Sequence, residues 1–508
     1  MAATASFGLY LGNTSACLAI YKDENVDVVA NHAGDRVTPA AISFHESEQI
    51  AGLPAKAGIF RNGPNTVLNN KRLMNKKIDS DELEDAIKTS TSKIIDDDKN
   101  ALHYALKVGE KTKKVTVDSV STLLFGAMYD ISISAAHDDD EHNVVLCVPN
   151  RFNSESIKGW SSTAEKAGFK VLQVIGEPIA TCIAHGLGQD KTKNELVLVY
   201  RVGGVSSDIS LVNISGGAFT IESSKYYPQL GGQKLTNLMT IYLAEEFRNK
   251  YKIDPNESKR SISKLKFDAE KCKHVLSTMS TAHCFVESLC EGVDFSHNIT
   301  RARFENIIGP HIPDYLKPID DILNASNKKH IDIKKIILCG GTMKLPKLQE
   351  KIGSLFPNGI ILTSKWSHDE TMAVGAAIQS SQLTSRGIKD CELNSTTVEL
   401  HSLAKTITVK IDNAQSIVIP ANTVVPIKIQ TIIELPNIKN DKIEIKIFEG
   451  EDNDNKIMQK IGLISLKING PGKFKVDTDL TESNFIIHIT ESSTGKKSSF
   501  RFAIHDSS

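Results

Sequence analysis

The sequence has no surplus of charge of either sign: 60 Lys and Arg stand against 61 Asp and Glu in 508 residues, a formal net charge of -1. Binding to nucleic acid or to a membrane surface driven by net charge is therefore not indicated. No run of 18 apolar residues is present to span a bilayer. No basic stretch precedes Lys22, and Phe7, Leu9 and Leu11 alternate as in a strand, which argues against a secretory leader. The eight cysteines (Cys17, Cys147, Cys182, Cys272, Cys284, Cys290, Cys339 and Cys391) form no Cys-x-x-Cys pair, which leaves no such spacing from which to argue a metal site. Several sit inside apolar runs such as Val144 to Val148 and read as small buried hydrophobes, suited to a reducing compartment, the cytosol.

What is present points to several domains, since a chain of this length exceeds one hydrophobic core and suggests roughly two to four. Three segments share a pattern in which an apolar strand runs into a glycine turn: Phe7 to Thr14, Glu195 to Gly204, and Ile336 to Thr342. The first two continue into a second apolar strand, so each predicts a β-hairpin, with glycine supplying the backbone freedom of the turn. Their spacing of about 190 residues suggests a duplicated, two-lobed domain. Turns of this kind also let backbone N–H groups converge on an anion. Any one of them is far more often an ordinary structural hairpin, by roughly ten to one; three in one chain narrow those odds without settling them. Glu177 to Gly186 predicts a helix with Pro178 in its first turn, and Ser261 to Ser277 has helical spacing. Residues 385–397 are polar and unpatterned, as in a linker. Beyond them the alternation of Thr406 to Ile411, Lys442 to Phe448 and Phe485 to Thr490 predicts a small antiparallel β-sandwich.

Taken in order, these elements resemble the heat-shock 70 kDa protein family from about Ser6 to about Ala503. The similarity is carried by Ala30 to Pro39, Asn65 to Leu73, Gly176 to Ala180, Glu291 to Phe295, Ile299 to Glu305, Asp369-Glu370 before Gly375 to Ala377, and Phe448 to Glu451. The resemblance implies an α/β fold: a two-lobed, actin-like (duplicated ribonuclease H-like) nucleotide-binding domain over residues 1–386, a linker over 387–397, and a truncated β-sandwich, substrate-binding-like domain over 398–508. The sequence stops soon after Ser493 to Lys496, where the family continues into a helical lid, so no lid is expected. A short chain of this kind is similar to the ribosome-associated branch of the family. That branch implies a zuotin-type J-domain protein as partner and, through the complex, the ribosome and nascent polypeptides. No membrane contact and no direct sequence-specific nucleic-acid binding are expected. Lys328 to His330 with Lys334 and Lys335 is a basic patch that could touch ribosomal RNA or be a solvated loop.

The resemblance places Gly12, Asn13 and Thr14 in a first phosphate loop and Gly203, Gly204, Val205 and Ser206 in a second. Lys71 matches a phosphate-contacting lysine, although it also belongs to the basic run Lys71-Arg72. Glu177 and Asp208 match acids around the metal and the attacking water; Glu177 equally suits the first turn of a helix by its charge. Glu270, Lys273 and Ser277 fall at adenosine-contacting positions, with Gly340, Gly341, Thr342, Lys344 and Asp369 on the purine and ribose side. ATP is the implied ligand, with ADP as its alternative.

Three departures bear on activity. Tyr10 and Arg201 replace family aspartates in the two loops, making the cradle more positive by three charges, one from Tyr10 and two from Arg201. Asn13 replaces a threonine. Magnesium is then poorly placed, and the remaining Lys71, Glu177 and Asp208 are expected to be catalytic remnants, because phosphoryl transfer depends on a metal and a positioned nucleophile. Arg201 can instead pair with phosphate. His274 and Lys344, in place of arginines, weaken stacking around adenine. The expected function is a chaperone component that binds nucleotide with little or no hydrolysis. The alternatives are an active ATP-driven folding chaperone and an actin-like or sugar-kinase-like enzyme.

Overall fold

The computed structural model describes residues 5–74, 80–96, 102–136, 141–189, 194–215, 217–385, 407–411, 415–419, 427–435, 442–450, 459–467, 472–480, 484–492 and 494–503. The expected linker at 387–397, and Cys391 within it, lie outside them. The chain divides into two compact units, Met1–Thr396 and Thr397–Ser508.

The first unit is mixed α/β and contains two sheets of the same design. In the first, β1 (Ser6–Leu11), β2 (Ser15–Lys22) and β3 (Asn25–Val28) form an antiparallel meander, and β4 (Asn143–Val148) and β5 (Lys170–Gly176) continue from β1 in parallel. In the second, β6 (Asn194–Val202), β7 (Ser207–Ser215) and β8 (Ala218–Tyr227) form the meander, and β9 (Lys335–Cys339) and β10 (Ile360–Ile361) continue from β6 in parallel. The orders β5-β4-β1-β2-β3 and β10-β9-β6-β7-β8 thus correspond strand for strand. The two expected hairpins are β1-β2 and β6-β7. Their central strands are mostly apolar, and β1 and β4 are buried at every residue, because helices cover both faces.

Outside the first sheet lie α1 (Leu53–Ala57), α2 (Val117–Ala135) and α3 (Ser154–Lys166); Phe125 and Trp160 of the latter two meet edge to face at 5.0 Å. Against the second sheet pack α5 (Gly232–Tyr251), α6 (Lys259–Thr278) and α7 (Ile312–Ala325), through Met239, Leu265 and Tyr315. Two further helices, α4 (Glu177–Ala184) and α8 (Thr371–Ser385), cover the opposite faces: α4 sends Ala180 into the core under the first sheet and Cys182 into that under the second. Helix α4 begins as its sequence predicts, with Glu177 and Pro178 in the first turn. Small residues on α8 allow backbone contact on two sides. A Cβ on Gly375 would lie 1.7 Å from the Ala180 carbonyl oxygen, and one on Gly8 would lie 2.2 Å from that of Ala373.

The described residues of the second unit form two sheets. One sheet has the order β12-β11-β14-β15, from β11 (Ile407–Ile411), β12 (Gln415–Ile419), β14 (Lys442–Glu449) and β15 (Gln459–Lys467). The other has the order β13-β16-β17-β18, from β13 (Ile427–Leu435), β16 (Gly472–Leu480), β17 (Asn484–Glu491) and β18 (Lys497–Ala503). All neighbours are antiparallel. Alternation does what period-two patterning requires: Ile443, Ile445 and Ile447 are buried between the exposed Glu444 and Lys446. Phe474, Val476, Phe485 and Ile487 of the second sheet share one core with Val409 and Ile445 of the first. Among the described residues no helix is long and apolar enough to cross a membrane.

The contact at Gly375 generates a direct test. Gly375→Ala should destabilise the first unit by about 3 kcal/mol or more, since the helices must move apart to admit a methyl group. Gly126→Ala, within α2 and with no atom within 4 Å of the added Cβ, should be neutral or stabilising by up to about 1 kcal/mol. Urea unfolding of the two variants checks the contrast.

Candidate functional site

The two hairpin turns are built alike. Gly12 N–H donates to the Ser15 carbonyl at 2.8 Å, and Gly203 N–H donates to the Ser206 carbonyl at 2.9 Å. They face each other so closely that a Cβ on Gly204 would meet the Thr14 side chain at 2.4 Å; no other residue fits there without displacement. The third glycine turn follows β9. Gly340 has φ +88°, and Thr342 Oγ1 donates to the Gly203 carbonyl at 2.9 Å, tying this turn to the second. Asn13 does not point away: its side-chain oxygen accepts from the Arg72 N–H at 2.9 Å.

These turns line one cleft of about 670 Å³. Of the residues expected at a nucleotide site, Gly12, Asn13, Thr14, Arg201, Gly203, Gly204, Val205, Ser206, Glu270, Lys273, Ser277, Gly340, Gly341, Thr342, Lys344 and Asp369 all border it. Lys71, Glu177 and Asp208 do not; they lie behind the cradle. Glu177 and Asp208 border a separate chamber of about 10 Å³, the size of one water, with Arg201 as its shared wall with the cleft.

Behind the cradle runs a row of alternating charges. Lys71 Nζ donates to Glu177 Oε1 at 2.7 Å, Glu177 Oε2 lies 2.9 Å from Arg201 Nε, and Arg201 Nη2 contacts Asp208 Oδ2. Lys71, Glu177 and Arg201 are 5%, 4% and 8% exposed, so each charge depends on its neighbours for the solvation that water would supply. Strand register fixes one link, because Arg201 and Asp208 are directly opposed in the β6-β7 pair. Tyr10 completes the setting: its ring centroid lies 4.8 Å from Lys71 Nζ, and burial, followed by the Glu177 charge, raises its phenol well above the usual range. Burial lowers the Lys71 ammonium. For Arg201 burial acts downward most strongly of any single cause, but Glu177 and Tyr10 with further neighbours together outweigh it and hold the guanidinium above its ordinary value.

A neighbouring cluster was not foreseen from the sequence. The Tyr226 hydroxyl donates to Glu82 Oε1 at 2.7 Å, Arg151 pairs with Glu82 Oε2 at 3.0 Å, and the Arg151 guanidinium lies 3.9 Å over the Tyr226 ring. Tyr226 is the cross-strand partner of Asp208, which joins the cluster to the charge row. Arg72, beside Lys71 in sequence, pairs with Asp85 at 2.9 Å.

At the other end of the cleft, Lys56 of α1 reaches Glu270 of α6 at 2.7 Å, a bridge that no local sequence signal marks. Lys273 donates to Thr236 Oγ1 at 2.7 Å and to the Gly232 carbonyl at 3.0 Å, and burial pushes its ammonium down to about 8. His274 is pushed down to about 4 by burial and then by Lys273, so it is neutral at pH 7. Lys344 pairs with Asp369 at 2.7 Å. Of the basic patch, Lys335 pairs with Glu195 at 2.6 Å and His330 lies 3.2 Å from Asp320.

The cleft fits a nucleotide: Gly12, Gly203 and Gly204 put no side chain of their own into its lining, and a Cβ on Gly341 would have its nearest neighbour, Asp369, at 3.8 Å. Magnesium does not fit. Glu177 and Asp208, the carboxylates matching the family's metal region, are both in contact with the Arg201 guanidinium. Among the described residues no group of three His, Cys, Asp or Glu side chains is placed to hold a metal ion.

Glu177 carries a pH signature. Burial acts to raise its carboxyl, but Lys71 and Arg201 outweigh burial and hold it below the ordinary 4.5. A carboxylate lowered in the folded state contributes stability that is complete above that ordinary value and is lost as pH falls through the folded value. Glu177→Gln should therefore cost about 3–5 kcal/mol at pH 7, and its stability should fall less steeply than that of the unmodified protein from pH 7 towards acid. Urea unfolding at a series of pH values measures both slopes; parallel slopes would contradict the assignment.

Residues 6–508 match the family described as Hsp70 protein. The chain is 34% identical over 500 residues to heat shock 70 kDa protein 14 of Xenopus tropicalis, covering 97% of this chain and 98% of that one. It is 36% identical over 457 residues to the protein of the same name from Rattus norvegicus, covering 88% of each. The Danio rerio protein of that name is 34% identical over 453 residues, 88% of this chain and 89% of its own. The resemblance read from the sequence therefore holds through both compact units, and the chain belongs to the Hsp70 family.

Proposed function

We propose that this Hsp70-family chaperone works as a component of a ribosome-associated complex that helps nascent polypeptides fold, and that its cleft retains ATP or ADP with little or no hydrolysis. In this reading residues 1–386 are the two-lobed, actin-like nucleotide-binding domain, 387–397 the linker and 398–508 a substrate-binding-like β-sandwich. The partner is a zuotin-type J-domain protein, and the compartment is the cytosol. The partner reading rests on the similarity to proteins named heat shock 70 kDa protein 14.

The observation that carries the catalytic part is the placement of Arg201 between Glu177 and Asp208. An active ATPase of this design needs those acids to orient water and a hydrated divalent ion. Here one guanidinium is paired with both, and its side chain separates them from the cleft. Binding does not need them. The backbone of the loops at Gly12 to Thr14 and Gly203 to Ser206 would hold phosphates, while Lys273, Lys344 and Asp369 would position the nucleoside. Neutral His274 offers a ring at that end without repelling the nearby ammonium groups.

Calorimetric titration of the nucleotide-free chain with ATP should give the same affinity within about threefold with and without Mg²⁺, and single-turnover product analysis should stay near background. Gly204→Val, which drives a side chain into Thr14, should lower affinity about tenfold or more, a loss of about 1.4 kcal/mol. Magnesium-dependent hydrolysis above background by the unmodified chain would instead establish the active ATPase.

The partner assignment makes a separate expectation. A tagged chain should capture ribosomes from lysate only when the zuotin-type J-domain protein is present, because this near-neutral chain lacks the charge excess of a direct RNA binder. Undiminished capture after depletion of that partner would contradict it.

A further inference from the structure

The basic stretch from Lys328 to Lys335 takes no part in the cleft; it lies at one end of the second sheet. The order β10-β9-β6-β7-β8 puts β10 on the outside of that sheet. Parallel pairing with β9 uses alternate residues: Ile360 N–H donates to the Lys334 carbonyl at 2.9 Å, and Leu362 N–H donates to the Ile336 carbonyl at 2.8 Å. Ile361, between them, therefore turns its N–H and C=O away from β9, towards the open edge. On this edge Ile360 is 67% exposed, the most exposed large apolar side chain among the described residues, and Ile331, in the turn before β9, is 54% exposed. In the same stretch Lys329 and Lys334 are exposed and Lys328 is half-buried. Among the described residues none of these three has an ion pair, whereas Lys335 and His330 face Glu195 and Asp320. The one carboxylate within the stretch, Asp332, accepts from the Lys329 N–H at 2.7 Å.

We propose that this edge is a docking site for an extended segment of a partner protein, rich in acidic and aliphatic residues, which adds to β10 as a further strand. An edge with outward backbone groups is a template for another chain, and lysines alone would protect it. The two exposed isoleucines do the opposite. They also separate this surface from a phosphate-binding one, since phosphates are contacted by basic and polar groups. An aliphatic residue set against Ile360 would take apolar area out of water, and the Ile361 N–H and C=O would fix the register of the added strand. The three ammonium groups would favour carboxylates and oppose a basic strand. The site is separate from the nucleotide: it lies before β9, whereas the Gly340 turn that lines the cleft follows β9.

The test is fluorescence anisotropy of a labelled peptide, Glu-Val repeated in tandem, titrated with the full chain. Binding should saturate. The corresponding Lys-Val peptide, and a backbone N-methylated copy of the Glu-Val peptide that keeps its side chains but lacks its donors, should each bind about tenfold more weakly or worse. Ile360→Asp should weaken the Glu-Val peptide by a similar factor. Lys329→Glu with Lys334→Glu should reverse the preference towards the Lys-Val peptide. Both changes fall on exposed side chains, so near-ultraviolet circular dichroism should match that of the unmodified chain. The proposal is overturned by an absence of saturable binding up to about 1 mM, by equal binding of the N-methylated copy, or by binding that Ile360→Asp leaves intact, which places the peptide elsewhere on the chain. Two other occupants would also overturn it. A uridine oligonucleotide that binds more tightly than the peptide, and is lost on the lysine reversal, makes the edge an RNA surface. A dimer in sedimentation velocity that Ile360→Asp abolishes assigns the edge to a second copy of this chain.

Discussion

Everything distinctive about this cleft depends on four charges, the buried Lys71, Glu177 and Arg201 and the partly buried Asp208, placed so that each touches one of opposite sign. Any of them alone in that position would face a desolvation cost of several kcal/mol; together they are neutral. The arrangement is also restrictive. Lys71 is drawn back onto Glu177 beside the Tyr10 ring, outside the cleft lining, and both carboxylates are turned towards a guanidinium. The groups that would activate water and organise a metal are thereby occupied with one another, while the glycine turns in front of them remain open.

That separation of binding surface from charge row follows from the architecture. Each sheet brings its first hairpin turn to the cleft, and the turns approach within the limit that only Gly204 allows. Behind them, α4 and α8 fill the space against both sheets by backbone contact at Gly375 and Gly8. Glu177 can be rigid because it opens α4, and Asp208 because it is registered against Arg201. The bridge from Lys56 to Glu270, partly exposed at both ends, is of a different kind: being reached by water, it contributes little stability by itself.

Much of this was legible in the sequence where the determining physics is local. The glycine turns, the Pro178 helix start and the alternation of Ile443, Ile445 and Ile447 are each set by a few neighbouring residues. The resemblance added the grouping of Gly12, Gly203, Lys273, Gly340 and Asp369 around one cleft, and the structure brings them together. Long-range partnerships were not legible. Arg201 was read as a possible phosphate ligand, because nothing in its own strand shows that Glu177 and Asp208 surround it. Tyr226, Glu82 and Arg151 come from three distant segments, and Lys56 is an unremarked lysine until α1 is seen opposite α6.

The central claim is that nucleotide binds while the acids behind the cradle stay closed to metal. The most direct measurement is a crystal structure of the unmodified chain grown with ATP and Mn²⁺, read in an anomalous difference map. The account predicts nucleotide along the glycine turns, Arg201 still between Glu177 and Asp208, and no manganese peak beside either carboxylate. A peak coordinated there, with Arg201 displaced, would contradict it.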